Sequence, residues 1–280
     1  MQLAWETVYW KKKSAVDAVE RGCIVCEEEQ CDGTVGYGGS PDENGETTLD
    51  AMIMDGTTMN MGAVGALRRV KNAISVARHV LDYTHHSLLV GDQATEFAVS
   101  MGFKEELLET NASTKIWQQW EQNNCQPNFW MNVSPDPAST CGPYKPATSS
   151  LTTKQHQQQG GKFGGEGNHD TIGMIAIDNQ GKIAAGTSTN GAKELRSGVT
   201  PSAAGENALR RIVALYPDFV GGIVVLSIAG QYGAACHGMN TFKYSVCNQQ
   251  LGEVTVLEVP CLSSDNVLNE LSLKDGQFNH

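Results

Sequence analysis

The chain has 280 residues, 40% hydrophobic and 18% charged, with a mean hydropathy of -0.30, which suits a globular protein burying a substantial core in one large domain or two small ones. Twenty Lys and Arg against 31 Asp and Glu give a formal net charge of -11, and no basic cluster exceeds Lys11-Lys12-Lys13, so no nucleic acid partner is expected. No apolar run approaches the roughly 18 residues of a membrane span, so no membrane is expected; residues 1–13 hold no apolar segment that reads as a signal peptide.

In chain order, residues 14–29 place Ala15, Val19, Cys23 and Cys26 on one stripe and predict a helix with an acidic end. A glycine-rich strand and turn are expected over 33–43. A strand over 49–54 follows, closed by the turn residues Asp55-Gly56. Helical spacing recurs over 72–82 (Ala73, Ile74, Ala77, Val80, Leu81), 91–101 and 113–124. Pro127, Pro135, Pro137, Pro143 and Pro146 mark irregular surface chain, and 148–168 reads as a polar, glycine-rich mobile linker. Strands follow over 171–177, apolar enough to be buried on both faces, and over 182–187, joined at Asn179-Gln180-Gly181. A helix over 203–215 carries Ala204, Ala208, Leu209, Ile212 and Val213 on one face. Strands over 221–229, 232–236, 241–247 and 253–259 read as a meander, and 262–280 as a loose tail. Helices and strands are blocked rather than strictly alternating, which favours a layered α+β fold over a doubly wound parallel sheet.

The chemistry concentrates where the linker meets a strand, at Asn168-His169-Asp170-Thr171. Cleavage between Asp170 and Thr171 would free an α-amine beside the Thr171 hydroxyl. With a pKa of about 7.7–8.0, that amine is partly neutral near pH 7 and can take the hydroxyl proton, which makes nucleophile and base of one residue. The competing reading is a turn that merely opens a strand. At the end of the next strand, Thr187-Ser188-Thr189-Asn190 between Gly186 and Gly191 could hold a small polar substrate. The glycine-rich stretches lack the lysine and strand-to-helix context of a phosphate loop, and no nucleophile elbow occurs.

Eight cysteines suggest an oxidising compartment, and Cys26/Cys31 and Cys125/Cys141 are close enough for short-loop disulfides. Cys23, Cys26 and Cys31 also invite zinc, but a structural site wants four ligands and no matching second pair appears, so disulfide or buried thiols are favoured and no metal or cofactor is expected. Asn111-Ala112-Ser113 and Asn132-Val133-Ser134 are glycosylation sequons.

Long motifs resemble the glycosylasparaginase (aspartylglucosaminidase) family of N-terminal-nucleophile hydrolases. They are Ser14 to Cys23 (SAVDAVERGC), Cys31-Asp32-Gly33, Gly38 to Glu43 (GGSPDE), Thr47 to Thr58 (TTLDAMIMDGTT), Gly62-Ala63-Val64-Gly65, Lys71-Asn72-Ala73-Ile74, Asn124 to Pro127, Cys141 to Pro146, His169 to Met174, Ala184 to Gly191 and Gln231 to Cys236. The resemblance implies a four-layer αββα sandwich in a single hydrolase domain over 1–261, cut after Asp170 into 1–170 and 171–261. It implies Thr171 as nucleophile, Asp170-Thr171 as the autocleavage bond and Thr189 as an assisting residue. Ser40, Asn190 and Gly191 would contact substrate. The activity implied is hydrolysis of the amide joining N-acetylglucosamine to asparagine, in the lysosome or secretory pathway, by a homo-oligomer of cleaved chain pairs. Disulfides Cys26–Cys31, Cys125–Cys141 and Cys236–Cys261 are implied, with Cys23 and Cys247 unpaired. The isoaspartyl peptidase/L-asparaginases share the nucleophile logic but not the cysteine-rich N-terminal half, and rank below.

The chain departs from the family in two places. The family's opening strand, with its tryptophan, has no counterpart before Leu3-Ala4-Trp5. After Gly191 the family continues into a Gly-Arg-Val-Gly-Asp-Ser-Pro segment and later a Thr-Gly-Asp-Gly segment, which hold the substrate's zwitterionic end and form the oxyanion hole. Here residues 191–199 lead almost directly to the 203–215 helix. The expectation is therefore an amidase weakened by the missing segments, with a non-catalytic truncated relative, serving in binding or regulation or in neither, as the alternative.

Overall fold

The computed structural model describes residues 1–31, 35–128, 130–147, 172–187, 201–217 and 219–262. Helix α1 (Gln2–Tyr9), a helix the sequence reading did not foresee, packs on α2 (Ala15–Glu29). Helix α2 starts where the sequence predicts because Ser14 and Asp17 form a capping box, each side chain accepting from the other's backbone N–H. It ends at Gln30, whose φ of 49° is left-handed. Strands β1 (Leu49–Asp55) and β2 (Met61–Leu67), helix α3 (Ala73–Tyr83), strand β3 (Leu88–Val90) and helices α4 (Gly91–Ser100) and α5 (Asn111–Gln122) follow. Two-residue strands β4 (Val133–Ser134) and β5 (Lys145–Pro146) interrupt the proline-marked chain. Then come β6 (Gly173–Ile177), β7 (Ile183–Thr187), α6 (Pro201–Leu215), β8 (Gly221–Leu226), β9 (Tyr232–His237), β10 (Thr241–Val246) and β11 (Thr255–Pro260).

The result is a mixed α+β fold around a five-stranded sheet of order β3-β2-β1-β7-β6, antiparallel except for β2 and β3. On β1, Leu49, Ala51 and Ile53 point into the core while Asp50 is exposed, the period-two alternation of a sheet covered on one side. Ile53 lies opposite Gly186 on β7. A Cβ added there would meet Val19 Cγ1 at 2.4 Å and Ile74 Cδ1 at 3.5 Å, so α2 and α3 share this face of the sheet. Gly62 on β2 admits α3 still closer: an added Cβ would lie 2.3 Å from Ala77 O and 2.4 Å from Leu81 N. The core runs from Ala4 through Leu108 and takes in Met174 and Ala184 from β6 and β7. A second cluster joins α6 (Ala204, Ala208, Leu209, Val213) to Ala234 and Ala235 on β9.

Three sequence expectations are corrected. Residues 35–39 form bends and turns, not a strand, with Gly36 and Gly38 at φ 81° and 73°. Strand β6 is not buried on both faces. It is the sheet's edge among the described residues, so only Met174, pressed against Gly22 of α2, is fully buried, while Gly173 is exposed. The four C-terminal strands form two separate hairpins, β8-β9 and β10-β11, rather than one meander. The expected helices all form, within two residues of the expected ends. The disulfides Cys26–Cys31, Cys125–Cys141 and Cys236–Cys261 are present, Cys23 and Cys247 are free, and the zinc reading falls because two of its three thiols are bridged.

Candidate active site

The β6-β7 hairpin is fixed at its closed end. Asp178 accepts from Gln180 N at 2.9 Å and Lys182 N at 3.0 Å, which shapes the turn, and its other oxygen accepts from Ala15 N at 3.2 Å at the start of α2. The buried Asp178 carboxylate thus ties the turn to the helix N-terminus, where negative charge is favoured. At the open end Gly173 pairs with Thr187, and the Thr187 hydroxyl donates to Ile172 O at 3.1 Å. Met52 of β1 also pairs with Thr187, so the N-terminal residues of β1 reach the same end of the sheet. Met174 and Gly186 face α2 and α3; by alternation Gly173, Thr187 and Met52 face the opposite side.

Ser40 is the one expected site residue inside the described structure. It is exposed, between the buried Gly39 and the Pro41–Thr47 bridge that feeds β1. Its loop is anchored on several sides. Gly38 N donates to Leu108 O at 2.6 Å, Gln30 Nε2 to Tyr37 O at 2.6 Å, and Thr47 Oγ1 to Gly39 O at 3.2 Å. Lys71 Nζ stands 4.2 Å from the Tyr37 ring centroid. Asp170, Thr171, Thr189, Asn190 and Gly191 lie outside the described residues, as does the expected linker.

Two features of this region escaped the sequence reading. Glu27 is buried at the foot of the Ser40 loop, where a Cβ on Gly36 would lie 2.3 Å from Glu27 O. Its Oε1 accepts from Ile74 N at 3.0 Å and so caps α3 from a distant helix. Its Oε2 has no hydrogen-bond partner among the described residues. Burial pushes the Glu27 carboxyl up to about 8, and burial next to Glu27 pushes the Cys23 thiol up to about 12, so Cys23 is no nucleophile. The second is an ion-pair network where β2 leaves the sheet: Arg68 and Arg69 pair with Glu46 and Asp92, and Arg69 also with Glu105 at 2.7 Å. It braces Glu46, in the turn between Ser40 and β1.

The family described as asparaginase matches residues 3–198. The chain is 45% identical to the mouse N(4)-(beta-N-acetylglucosaminyl)-L-asparaginase over 311 aligned positions, covering 93% of this chain and 88% of the relative. The rat protein of that name is 44% identical over 310 positions, with the same coverages. Both alignments are longer than the 280 residues of this chain, so the relatives carry internal residues with no counterpart here. With more than half its length matched and identity at this level, the chain belongs to the asparaginase family.

Proposed function

We propose that the chain is an amidohydrolase that cleaves the amide joining N-acetylglucosamine to asparagine, using Thr171 freed by cleavage of the Asp170-Thr171 bond. The observation that carries the reading is the 45% identity, over 93% of the chain, to a relative named N(4)-(beta-N-acetylglucosaminyl)-L-asparaginase. The neutral Thr171 amine takes the hydroxyl proton and Oγ attacks the amide carbonyl. The tetrahedral adduct collapses as the proton passes to the leaving glycosylamine nitrogen. Water then hydrolyses the Thr171 ester to release aspartate. Thr189 assists beside the nucleophile, and Ser40, Asn190 and Gly191 contact the substrate.

The architecture proposed is the four-layer αββα sandwich in one domain over 1–261. Support comes from α2 and α3 covering one face of the main sheet, α6 covering β8 and β9, and the approach of β6 to β8. Three disulfides support passage through the secretory pathway towards a lysosomal compartment. Among the described residues no helix is long and apolar enough to cross a membrane.

Activity is set low by the segments absent after Gly191. Losing one oxyanion-hole donor typically costs about 10²–10³ in rate. That shortfall favours a second reading, a relative that binds but does not turn over. Mass spectrometry of the folded, disulfide-bonded chain tests the proposal. A new N-terminus at Thr171, lost in Thr171→Ala, is expected; an intact chain supports the second reading. Restoring the two missing segments raises turnover if the amidase reading is right and leaves it unchanged if they are dispensable.

A further inference from the structure

We propose that Trp130, with Tyr144 and Glu43 beside it, forms a subsite for the sugar residues that follow the N-acetylglucosamine of the substrate, so that the chain takes asparagine carrying an oligosaccharide. The proposal rests on the amidase reading above.

It starts from the loop that follows Ser40. Gly45 N returns to Asp42 O at 3.0 Å, which makes Glu43 and Asn44 the central residues of a tight turn. Asp42 Oδ1 accepts from Asn44 N at 2.8 Å and Glu46 N at 3.0 Å, and the Pro41–Thr47 bridge closes the loop. Glu43 receives two indole N–H groups from distant parts of the chain. Trp117 Nε1 of α5 donates to Glu43 O at 3.1 Å, and Trp130 Nε1 donates to Glu43 Oε1 at 2.8 Å. Glu43 lies three residues after Ser40, so no more than about 11 Å of chain separates the aromatic surface's anchor from the residue expected to contact substrate.

The rings are fixed around this turn. Gly45, at φ 85°, lies against Trp117, where an added Cβ would come within 3.0 Å of Cδ2. The Trp130 and Tyr144 ring centroids are 5.1 Å apart, and the Cys125–Cys141 bridge closes the segment that carries Trp130. Trp130 is 45% exposed although its one polar side-chain atom is bonded, so its side chain offers solvent only carbon. The exposed side chains of Glu43 and Asn44 belong to the same turn.

A pyranose has the complementary build: a face of C–H groups that stacks on an aromatic ring, and a rim of hydroxyls that donate to carboxylate and amide oxygens. A carboxylate has roughly four acceptor sites, so Glu43 can take sugar hydroxyls while still holding Trp130. A protein partner would favour a contact centre depleted of charge, which Glu43 breaks. Rings and turn are bonded before a ligand arrives, so binding orders little.

The test compares aspartylglucosamine with asparagine carrying the chitobiose disaccharide, turned over by the folded, disulfide-bonded chain and its Trp130→Ala and Trp130→Phe variants. Trp130→Ala should raise KM for the disaccharide substrate relative to aspartylglucosamine by about 3- to 10-fold, the worth of one aromatic contact. Trp130→Phe keeps a ring face but not the bond to Glu43, and should retain most of the preference; a residue that only braced the loop would fail in both variants. An equal KM change for the two substrates, or Trp130→Phe as deficient as Trp130→Ala, overturns the subsite. If the parent turns over neither substrate, the amidase reading falls separately, and saturation-transfer NMR with N,N′-diacetylchitobiose decides the subsite. Transfer to the sugar in the parent that is lost in Trp130→Ala supports it; no transfer in the parent overturns it.

Discussion

Replacing Glu27 with glutamine is expected to leave the protein's stability unchanged in mild acid and to raise it at neutral and alkaline pH. The buried carboxyl has a pKa pushed from its ordinary 4.5 to about 8, chiefly by burial and against the hydrogen bond from Ile74 N, with Glu28 and Glu20 adding repulsion. Between those values the unfolded chain ionises Glu27 while the folded chain keeps it protonated. The stabilisation from the bound proton is therefore complete below about pH 4.5 and is lost as pH rises towards 8. At about 1.36 kcal/mol per pH unit, the loss between pH 4.5 and pH 7 is on the order of 3 kcal/mol. Glutamine copies the protonated carboxyl: its oxygen can still accept from Ile74 N, and it carries no charge to desolvate. Urea titrations at several pH values between about 5 and 8 should show the Glu27→Gln advantage growing from near zero to a few kcal/mol. Glu27→Ala, which removes the α3 cap and leaves a cavity, should be less stable than glutamine by about 2–4 kcal/mol across the range. If the stability of Glu27→Gln runs parallel to that of the parent chain from pH 5 to 8, Glu27 is not the group that holds the proton.

Further outcomes follow from the same contacts. Gly62→Ala drives a methyl into the α3 backbone at Ala77 and Leu81, and thermal unfolding should show a loss of about 1–3 kcal/mol. Asp178→Ala leaves the N–H groups of Gln180, Lys182 and Ala15 without their acceptor, and hydrogen exchange should find the β6-β7 hairpin opening more readily than α3. Replacing Cys125 and Cys141 by serine releases a bridge of sequence separation 16 and should cost about 3 kcal/mol in denaturant titrations. In native protein iodoacetamide should label the half-buried Cys247 before the fully buried Cys23, whose thiol is pushed up to about 12.

The helices other than α1 were legible in sequence because their signals are local. The apolar stripes mark the buried faces, while the capping boxes of Ser14 with Asp17 and Thr110 with Ser113 that set two of the starts went unread. Strand β2 was not legible, since its glycines and alanines are selected by the approach of α3 rather than by alternation. The edge position of β6 also escaped: its apolar run states that it is a strand but not which neighbours it lacks. Glu27 reads as one of three consecutive acids on a solvated helix end, and only the turn at Gly36 and the start of α3 reveal its burial. At the candidate site, residue types and spacing suggest a threonine nucleophile at Thr171, and of the expected site residues only Ser40 lies among the described ones. Geometry adds the anchored Ser40 loop, the Arg68–Arg69 network and the shared sheet end.

The central claim is that Thr171 is the nucleophile of an amidase, and the most direct test is turnover of aspartylglucosamine by folded, monodisperse, disulfide-bonded chain beside its Thr171→Ala and Thr171→Ser variants. The account predicts slow release of N-acetylglucosamine and aspartate by the parent, partial retention with serine and none with alanine. Equal turnover by the parent and Thr171→Ala would contradict it.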